Sequence, residues 1–295
     1  MTTATRTRFT NRYNVHPAIV SAIVNDPYER RGDISVTGLL RPPQMAQLER
    51  EHEDEIEIDV SSRLFALLGQ SVHEVLARAD HPNGLPEEAL SLKMHGWEIT
   101  GRPDLWADNT ITDFKVTSVW SFLLGDKPEW EAQLNFYALL YREAGFAVEN
   151  LEIAAILRDW QKRRSMEDAD YPPAPFMRVK IPLWDEAKAR EIMGTYITMH
   201  KYARNGLPMP CNDEERWAKP DKWAVMKKGQ KRALRLFDSE ADAVARLGPV
   251  NDHPDAEHGL SVQHRPGDKT VRCRDYCDVA QFCSQFKELQ EVSNG

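Results

Sequence analysis

The chain has 295 residues, 41% hydrophobic and 28% charged, with a formal net charge of −8. That length supports a sizeable core, as one large domain or as a domain with an appended module. The charge balance excludes broad non-specific attraction to nucleic acid, though not an acidic site that cations mask locally, and no apolar run reaches the length of a membrane-spanning helix.

The N-terminal MTTATRTRFTNRYN has basic residues but no apolar stretch after it. It does not read as a secretory leader, so a cytoplasmic protein with no membrane partner is expected. Pro17–Val24 reads as a short helix ended by Asn25-Asp26-Pro27. Ile34-Ser35-Val36-Thr37 precedes a predicted helix over Pro42–Glu53, with a plain N-cap at its start. Residues 54–80 read as a helix carrying His73, with Leu64, Leu67, Leu68, Val72, Val75 and Leu76 at helical spacing. On spacing alone His73 is a satisfied interior residue. A loop, HPNGLPEE, follows, and its Glu88 reads as solvated.

Residues 97–106 alternate like a strand, Asp108-Asn109 is a turn signal, and Ile111–Thr117 is rich in β-branched residues. Together they predict a β-hairpin. Pro128–Gly145 reads as a helix, with proline in its first turn, Glu129 and Glu131 near its start and Gly145 as its stop. Leu151–Leu157 is a continuous apolar run of the kind buried in a sheet. A strand over Phe176–Trp184 follows, separated from it by a segment holding Arg158, Lys162, Arg163 and Arg164, which suits either phosphate contact or a solvated loop. Asp185–Asn205 reads as a long helix with an aspartate cap and Gly206 as its stop.

Beyond residue 206 the character changes, and a C-terminal module over 207–295 is expected. Trp223–Met226 and Lys231–Phe237 predict a hairpin around Lys228-Gly229. Lys227, Lys228, Lys231 and Arg232 make it strongly basic, with Trp217 and Trp223 interleaved. Such a mixture can grip a single strand of nucleic acid; an exposed hairpin with buried tryptophans is the plainer alternative. Ser239-Glu240-Ala241-Asp242 opens a short helix with a capping-box pattern. Cys273, Cys277 and Cys283 form C-x3-C-x5-C, and Cys211 stands far upstream. In a chain without a secretory leader four such thiols favour a metal over disulfides. His253, His258 and His264 are substitutes in a zinc site but are not needed to reach four ligands.

The strongest chemical signal is Gly101-Arg102-Pro103-Asp104 followed by Asp113-Phe114-Lys115. Asp113 and Lys115 are two apart on one strand and share a face. Asp104 reaches them across the hairpin. Two carboxylates and one ammonium on a single face are costly to bury unless something binds them. Hard oxygen donors suit Mg²⁺ or Mn²⁺, and Lys115 can then orient a water and stabilise charge on an attacked phosphate. An isolated Asp-x-Lys would read as a solvated pair.

These residues resemble the PD-(D/E)xK nuclease superfamily, and within it the RecB-like exonucleases. Leu68-Gly69-Gln70-Ser71-Val72-His73-Glu74-Val75-Leu76 is similar to that family's helix in which a histidine supplies a metal ligand, and Gln133-Leu134-Asn135-Phe136-Tyr137 fits its Gln-x-x-x-Tyr motif. Gln133 and Tyr137 share one helix face. The likeness covers roughly residues 35–145. It implies His73, Asp104, Asp113 and the Phe114 carbonyl as Mg²⁺ or Mn²⁺ ligands, with Asp104, Asp113, Lys115, Gln133 and Tyr137 as the catalytic set. The lone cysteine and the trio resemble the [4Fe–4S] staple of several RecB-like nucleases. Those relatives use C-x2-C-x5-C, and many place the lone cysteine before the core. Cys211 to Trp217 also resembles a Cys-x-x-x-Glu-Arg-Trp segment of bacteriophage-encoded members. Zn²⁺ is the alternative occupant.

The expected fold is α/β: a central mixed β-sheet flanked by helices, restriction-endonuclease-like, over 1–206, with a C-terminal cysteine-bound metal cluster module. The expected function is a metal-dependent deoxyribonuclease, an exonuclease acting on DNA ends or single strands in recombination, repair or phage DNA processing. A recombination or replication protein is a further expected partner. A non-catalytic nucleic-acid-binding module with a zinc site and an RNase are the competing readings.

Overall fold

The structure, a computed structural model, describes residues 7–25, 31–123, 128–247 and 259–294. In chain order the first part runs β1 (Arg8–Thr10), α1 (Pro17–Val24), β2 (Ile34–Ser35), α2 (Val36–Leu39), α3 (Pro43–Glu51), β3 (Glu57–Asp59) and α4 (Leu64–Ala77). It continues through β4 (Gly84–Pro86), β5 (Leu90–Met94), β6 (Trp97–Gly101), β7 (Leu105–Ala107), β8 (Thr110–Thr117), α5 (Val119–Leu123) and α6 (Pro128–Glu143). It ends with β9 (Asn150–Leu157), α7 (Lys162–Glu167), β10 (Phe176–Ile181) and α8 (Glu186–Arg204). After it come β11 (Lys222–Lys227), β12 (Arg235–Phe237), α9 (Glu240–Leu247), β13 (Leu260–Arg265), α10 (Val271–Tyr276) and α11 (Ser284–Asn294). The chain divides into two compact units, Met1–Met209 and Pro210–Gly295. Asp26 and Pro27, expected to end α1, lie outside the described residues, as do His253 and His258.

The first unit is an α/β fold with a central mixed sheet flanked by helices. Its five strands run in the order β10-β9-β8-β7-β4. β8 lies parallel to β9 and antiparallel to β7. Asp108 and Asn109 join β7 to β8 with φ of 47° and 58°, the left-handed pair that a two-residue hairpin turn demands. A second sheet, β2-β6-β5, stands beside it in sequence but not in pairing.

The expected strand over 97–106 is therefore two strands in two sheets. Pro103 explains the break: it has no N–H to give a ladder, and its fixed φ ends β6 at Gly101. The chain re-enters as β7, and Asp104 sits at the crossing, its carbonyl accepting from Glu87 N at 3.1 Å. Residues 54–63 also differ from expectation. They form β3 and a short tight turn of helix, because Asp59 caps at Ser61 N (3.0 Å) and starts the helix later.

α6 is the spine of the unit. Leu134, Phe136, Tyr137, Ala138, Leu139, Leu140 and Tyr141 are all buried, so it packs on more than one side. Buried Asn135 ties it to the segment before α8: its amide donates to the Pro182 carbonyl, and its oxygen accepts from Trp184 N at 2.7 Å. Asp185 caps α8 by accepting from Lys188 N at 2.8 Å. Gly145, with φ of 89°, ends the turn after α6. α4 departs from its expected burial. It has no fully buried residue, and Phe65, Leu68 and Val75 are exposed.

The second unit is built on β11, which pairs antiparallel with β12 on one side and β13 on the other. β12 is shorter than the expected Lys231–Phe237, since Gln230 N bonds back to Lys227 O and the chain rejoins the ladder only at Leu234. β13 had no distinct signal, being short and half polar. Ser239 Oγ accepts from Asp242 N, as a cap should, and α9 packs its buried Ala243 against this sheet.

Close packing at Gly101 yields a prediction. A Cβ there would lie 2.8 Å from Tyr137 Cε1 and 2.9 Å from Leu140 Cδ2. Gly101→Ala should lower stability by about 1–3 kcal/mol through overpacking, whereas Gly69→Ala, in open space within α4, should gain roughly 0.5–1 kcal/mol from helix propensity. Urea unfolding of the two variants checks the sign of each; equal effects would refute the close approach of α6 to β6.

Candidate active site

Six side chains from four places in the first unit meet at the middle of β8. Asp113 and Lys115 extend from one face of the strand, as their spacing requires, and Lys115 Nζ lies 2.7 Å from Asp113 Oδ2. Asp104 comes from the crossing after Pro103. Its Oδ2 accepts from the Phe114 N–H at 2.6 Å, and its Oδ1 lies 3.0 Å from His73 Nδ1 on α4. α6 supplies Gln133, one turn before Tyr137. The Gln133 amide donates to Asp113 Oδ1 (3.2 Å) and to the Tyr137 hydroxyl (3.3 Å), and its oxygen accepts from Lys115 Nζ (3.4 Å). The structure thus brings these residues into two hydrogen-bonded groups, His73–Asp104 and Asp113–Lys115–Gln133–Tyr137, linked by the bond from the Phe114 N–H to Asp104.

Asp113 carries the site's electrostatic tension. It is 3% exposed, and burial pushes its pKa up, opposed by the Lys115 ammonium and reinforced by the neighbouring Asp104 carboxylate. Its Oδ2 meets the Lys115 ammonium at 2.7 Å and its Oδ1 accepts from Gln133 at 3.2 Å. His73 is raised, first by its hydrogen bond to Asp104, with burial acting against it.

The donor set fits a hard divalent cation in its chemistry: two carboxylates, one of them buried, and an imidazole. In the present arrangement Asp104 is engaged with His73 and Phe114 N, and Asp113 with Lys115 and Gln133. Among the described residues no three His, Cys, Asp or Glu side chains converge in ligating geometry. Asp104 in particular gives both oxygens to His73 and Phe114, so loading would part His73 from Asp104. The Phe114 N–H is the anchor that sequence reasoning missed. Backbone donors leave no mark in composition; the one usable signal was Asp104 lying next in register to the Leu105–Thr112 pair.

The other predicted residues lie in the second unit. Cys283 is buried, and Cys211, Cys273 and Cys277 are partly buried. Burial pushes the Cys211 thiol up to about 12, with Glu215 and the other three thiols adding to it. Cys277 is pushed up to about 11, again mainly by burial. The Cys211 segment is pinned to α11: the Gln285 side chain accepts from Cys211 N at 2.9 Å and donates to Cys211 O at 2.8 Å. Arg216 donates to the carbonyls of Cys211 and Lys269, which ties this segment to the one holding the trio.

Lys228, Lys231 and Arg232 are exposed in the 228–234 loop, and Lys227 ends β11. The tryptophans do not interleave with them. Trp217 packs edge-on against Tyr276 with Arg272 over its ring, and Trp223 lies at the opposite end of β11 against His264. His264 is held by Asp221 Oδ2 at 2.9 Å. In the first unit, Ser35 caps α2 by accepting from Gly38 N, and Glu88 is exposed.

No family model matches this chain, and no curated protein matches it. Among solved structures, SSO0001 is 18% identical, covering 58% of this chain and 79% of that one, with a TM-score of 0.37. A structure from Eubacterium rectale described as "Putative exonuclease" is 11% identical, covering 76% of this chain and 84% of that one, with a TM-score of 0.30. Among the described residues no helix is long and apolar enough to cross a membrane.

The raised Asp113 pKa sets the sign of a pH effect. The native state holds this proton more tightly than the unfolded chain, so Asp113 lowers stability as pH rises from the ordinary carboxylate range through the elevated value. The metal-free wild type should therefore melt at lower temperature at neutral pH than in mild acid, relative to Asp113→Asn. Melting curves across that range, for both proteins, test it; parallel curves would show that burial of Asp113 carries no cost.

Proposed function

We propose that the chain is a Mg²⁺- or Mn²⁺-dependent deoxyribonuclease, an exonuclease that hydrolyses phosphodiester bonds at DNA ends or in single-stranded DNA. One observation carries this reading: a buried carboxylate, Asp113, is paired with Lys115 on the strand whose Phe114 N–H holds Asp104, itself the partner of His73. Burying that carboxylate costs stability even when it is paired, a cost that a bound cation would offset.

In this reading Asp104, Asp113, His73 and the Phe114 carbonyl hold the ion. When bound, it neutralises phosphate charge and makes water easier to deprotonate. The chain's own residues do the rest. Lys115 presents its ammonium to the nucleophile and to charge developing on the phosphate. Gln133 holds Lys115 and Asp113 at fixed separation and is itself fixed by Tyr137. Phe114 N–H sets the direction of the Asp104 carboxylate. Burial of Asp113 keeps competing water from its inner oxygen. Nothing in this set chooses the sugar, so RNA stands as a second substrate. The absence of a ligand-ready trio among the described residues favours the rival reading of a non-catalytic binding module.

For the second unit we propose a [4Fe–4S] cluster held by Cys211, Cys273, Cys277 and Cys283, with Zn²⁺ as the alternative. Burial of Cys283 and partial burial of the other three thiols, with Arg216 tying the Cys211 segment to the one holding the trio, supports this.

Two experiments separate the readings. Labelled single- and double-stranded DNA and RNA are incubated with Mg²⁺ or Mn²⁺. Wild type should cut DNA, and Asp113→Asn and Lys115→Ala should each lose at least about a hundredfold in rate, the scale of a lost charge-stabilising group, although Asp113→Asn should melt no lower than wild type and Lys115→Ala, which leaves the buried carboxylate without its ammonium, should melt lower. Full activity in both variants removes the assignment. Anaerobically purified wild type should show iron–sulfur absorption, which Cys277→Ser should lose along with thermal stability. A colourless protein holding zinc selects the alternative, and an unaltered melting temperature without bound metal ends the cluster proposal.

A further inference from the structure

We propose that Phe65 and Trp120 form a stacking platform for the unpaired bases of a single-stranded nucleic-acid end, beside the carboxylate site. The nature of the ligand rests on the hydrolase reading above; the platform deepens it by naming where the strand lies.

Phe65 is 68% exposed and Trp120 is 43% exposed. Leaving two large rings in water is unfavourable unless something covers them. Each carries a cation on its face. Arg158 Cζ lies 4.0 Å from the Phe65 ring centre, and Arg164 Cζ lies 4.9 Å from that of Trp120. Among the described residues neither guanidinium has a carboxylate within ion-pair distance. Their neighbours differ: Arg163 pairs with Glu167 at 2.8 Å, and the Asp159 carboxylate is taken by Val119 N at 2.7 Å. The rings thus hold two positive charges in place without neutralising them.

Position joins the platform to the site. Trp120 follows the same strand, β8, that carries Asp113 and Lys115. Arg158 follows β9, its N–H donating to Thr117 O at 2.9 Å. Phe65 lies on α4, the helix that carries His73. All of this gathers at the carboxyl ends of the parallel pair β8–β9, where open α/β sheets take their ligands. Aromatic faces with adjacent guanidinium groups suit unpaired bases and their phosphates, while a duplex keeps its base faces hidden. A second copy of the chain would cover the rings equally well, but it would gain nothing from two unneutralised cations.

The test is fluorescence anisotropy of a labelled, mixed-sequence single-stranded DNA with the full chain in EDTA, where cutting cannot occur. Phe65→Ala and Trp120→Ala should each weaken binding roughly tenfold, the scale of one lost base stack. Phe65→Tyr and Trp120→Phe, which keep a π-face, should bind like wild type, and affinity for a blunt duplex should change little in all four. Both rings are exposed, so melting temperatures should hold. Wild-type-like affinity in both alanine variants overturns the platform, whether or not the chain cuts. A change of oligomeric state without a change of affinity also overturns it. Loss of binding with no metal-dependent cutting by wild type supports the platform and overturns the hydrolase reading instead.

Discussion

A carboxylate that is almost completely shielded from water dominates the first unit. Asp113 lies in the middle of β8, paired with Ile153 of β9 and just past the end of β7, and α6 packs against this strand. Removing an ionised group from water costs several kcal/mol even after relaxation. One amine, at Oδ2, and one amide, at Oδ1, offset this. Everything near it follows from that demand. Lys115 must sit on the same face, so the strand cannot slip by one residue without sending both groups to the opposite side. Gln133 must reach from α6, so helix and sheet are locked in rotation as well as in distance. Contrast Glu152 on β9, whose carboxylate is satisfied by Thr112 Oγ1 and by the Arg178 guanidinium. Glu152 is thus held at the sheet's surface, whereas Asp113 is held inside it.

The break at Pro103 serves the same end. A continuous strand through 97–106 would hold Asp104 in a ladder with its side chain fixed by alternation. The chain instead leaves one sheet and enters another, and the residue at the crossing is free to turn its carboxylate onto Phe114 N and His73. Gly101, just before the break, lets Tyr137 come within contact distance of the backbone. Tyr137 in turn meets Gln133. Three features of one short stretch, a glycine, a proline and an aspartate, thereby set helix approach, sheet change and the direction of a carboxylate.

Much of this was legible from residue patterns, and what was not has specific causes. The β7–β8 turn was readable because Asp-Asn tolerates the left-handed backbone a tight hairpin needs. β9 was readable as an unbroken apolar run, because a strand covered on both faces has no polar side to show. The hairpin strand over 97–106 was overextended, since alternation persists across a proline that changes the sheet. α4 misled in the other direction. Its leucines recur at helical spacing, which normally marks a core-facing stripe, yet several remain exposed. Spacing reports that a helix has an apolar face; it cannot report what that face meets. The gathering of His73, Asp104, Asp113, Lys115, Gln133 and Tyr137 was anticipated from a family likeness. The hydrogen bond from the Phe114 N–H to Asp104 was beyond any reading of side-chain letters.

The chain's acidity makes the treatment of its arginines informative. A protein with net charge −8 has carboxylates to spare for every cation. Arg178 is paired with Glu152, Arg190 with Glu186 and Glu143, and Arg163 with Glu167. Such partners fix a guanidinium by cancelling its charge. Arg158 and Arg164 are fixed instead by rings, which orient the cation and leave its field intact. Net charge governs attraction at distances beyond the screening length of about 10 Å; within that distance the local arrangement decides. Among the described residues the two guanidinium groups at the carboxyl ends of β8 and β9 thus keep a local positive field on a chain whose net charge is negative.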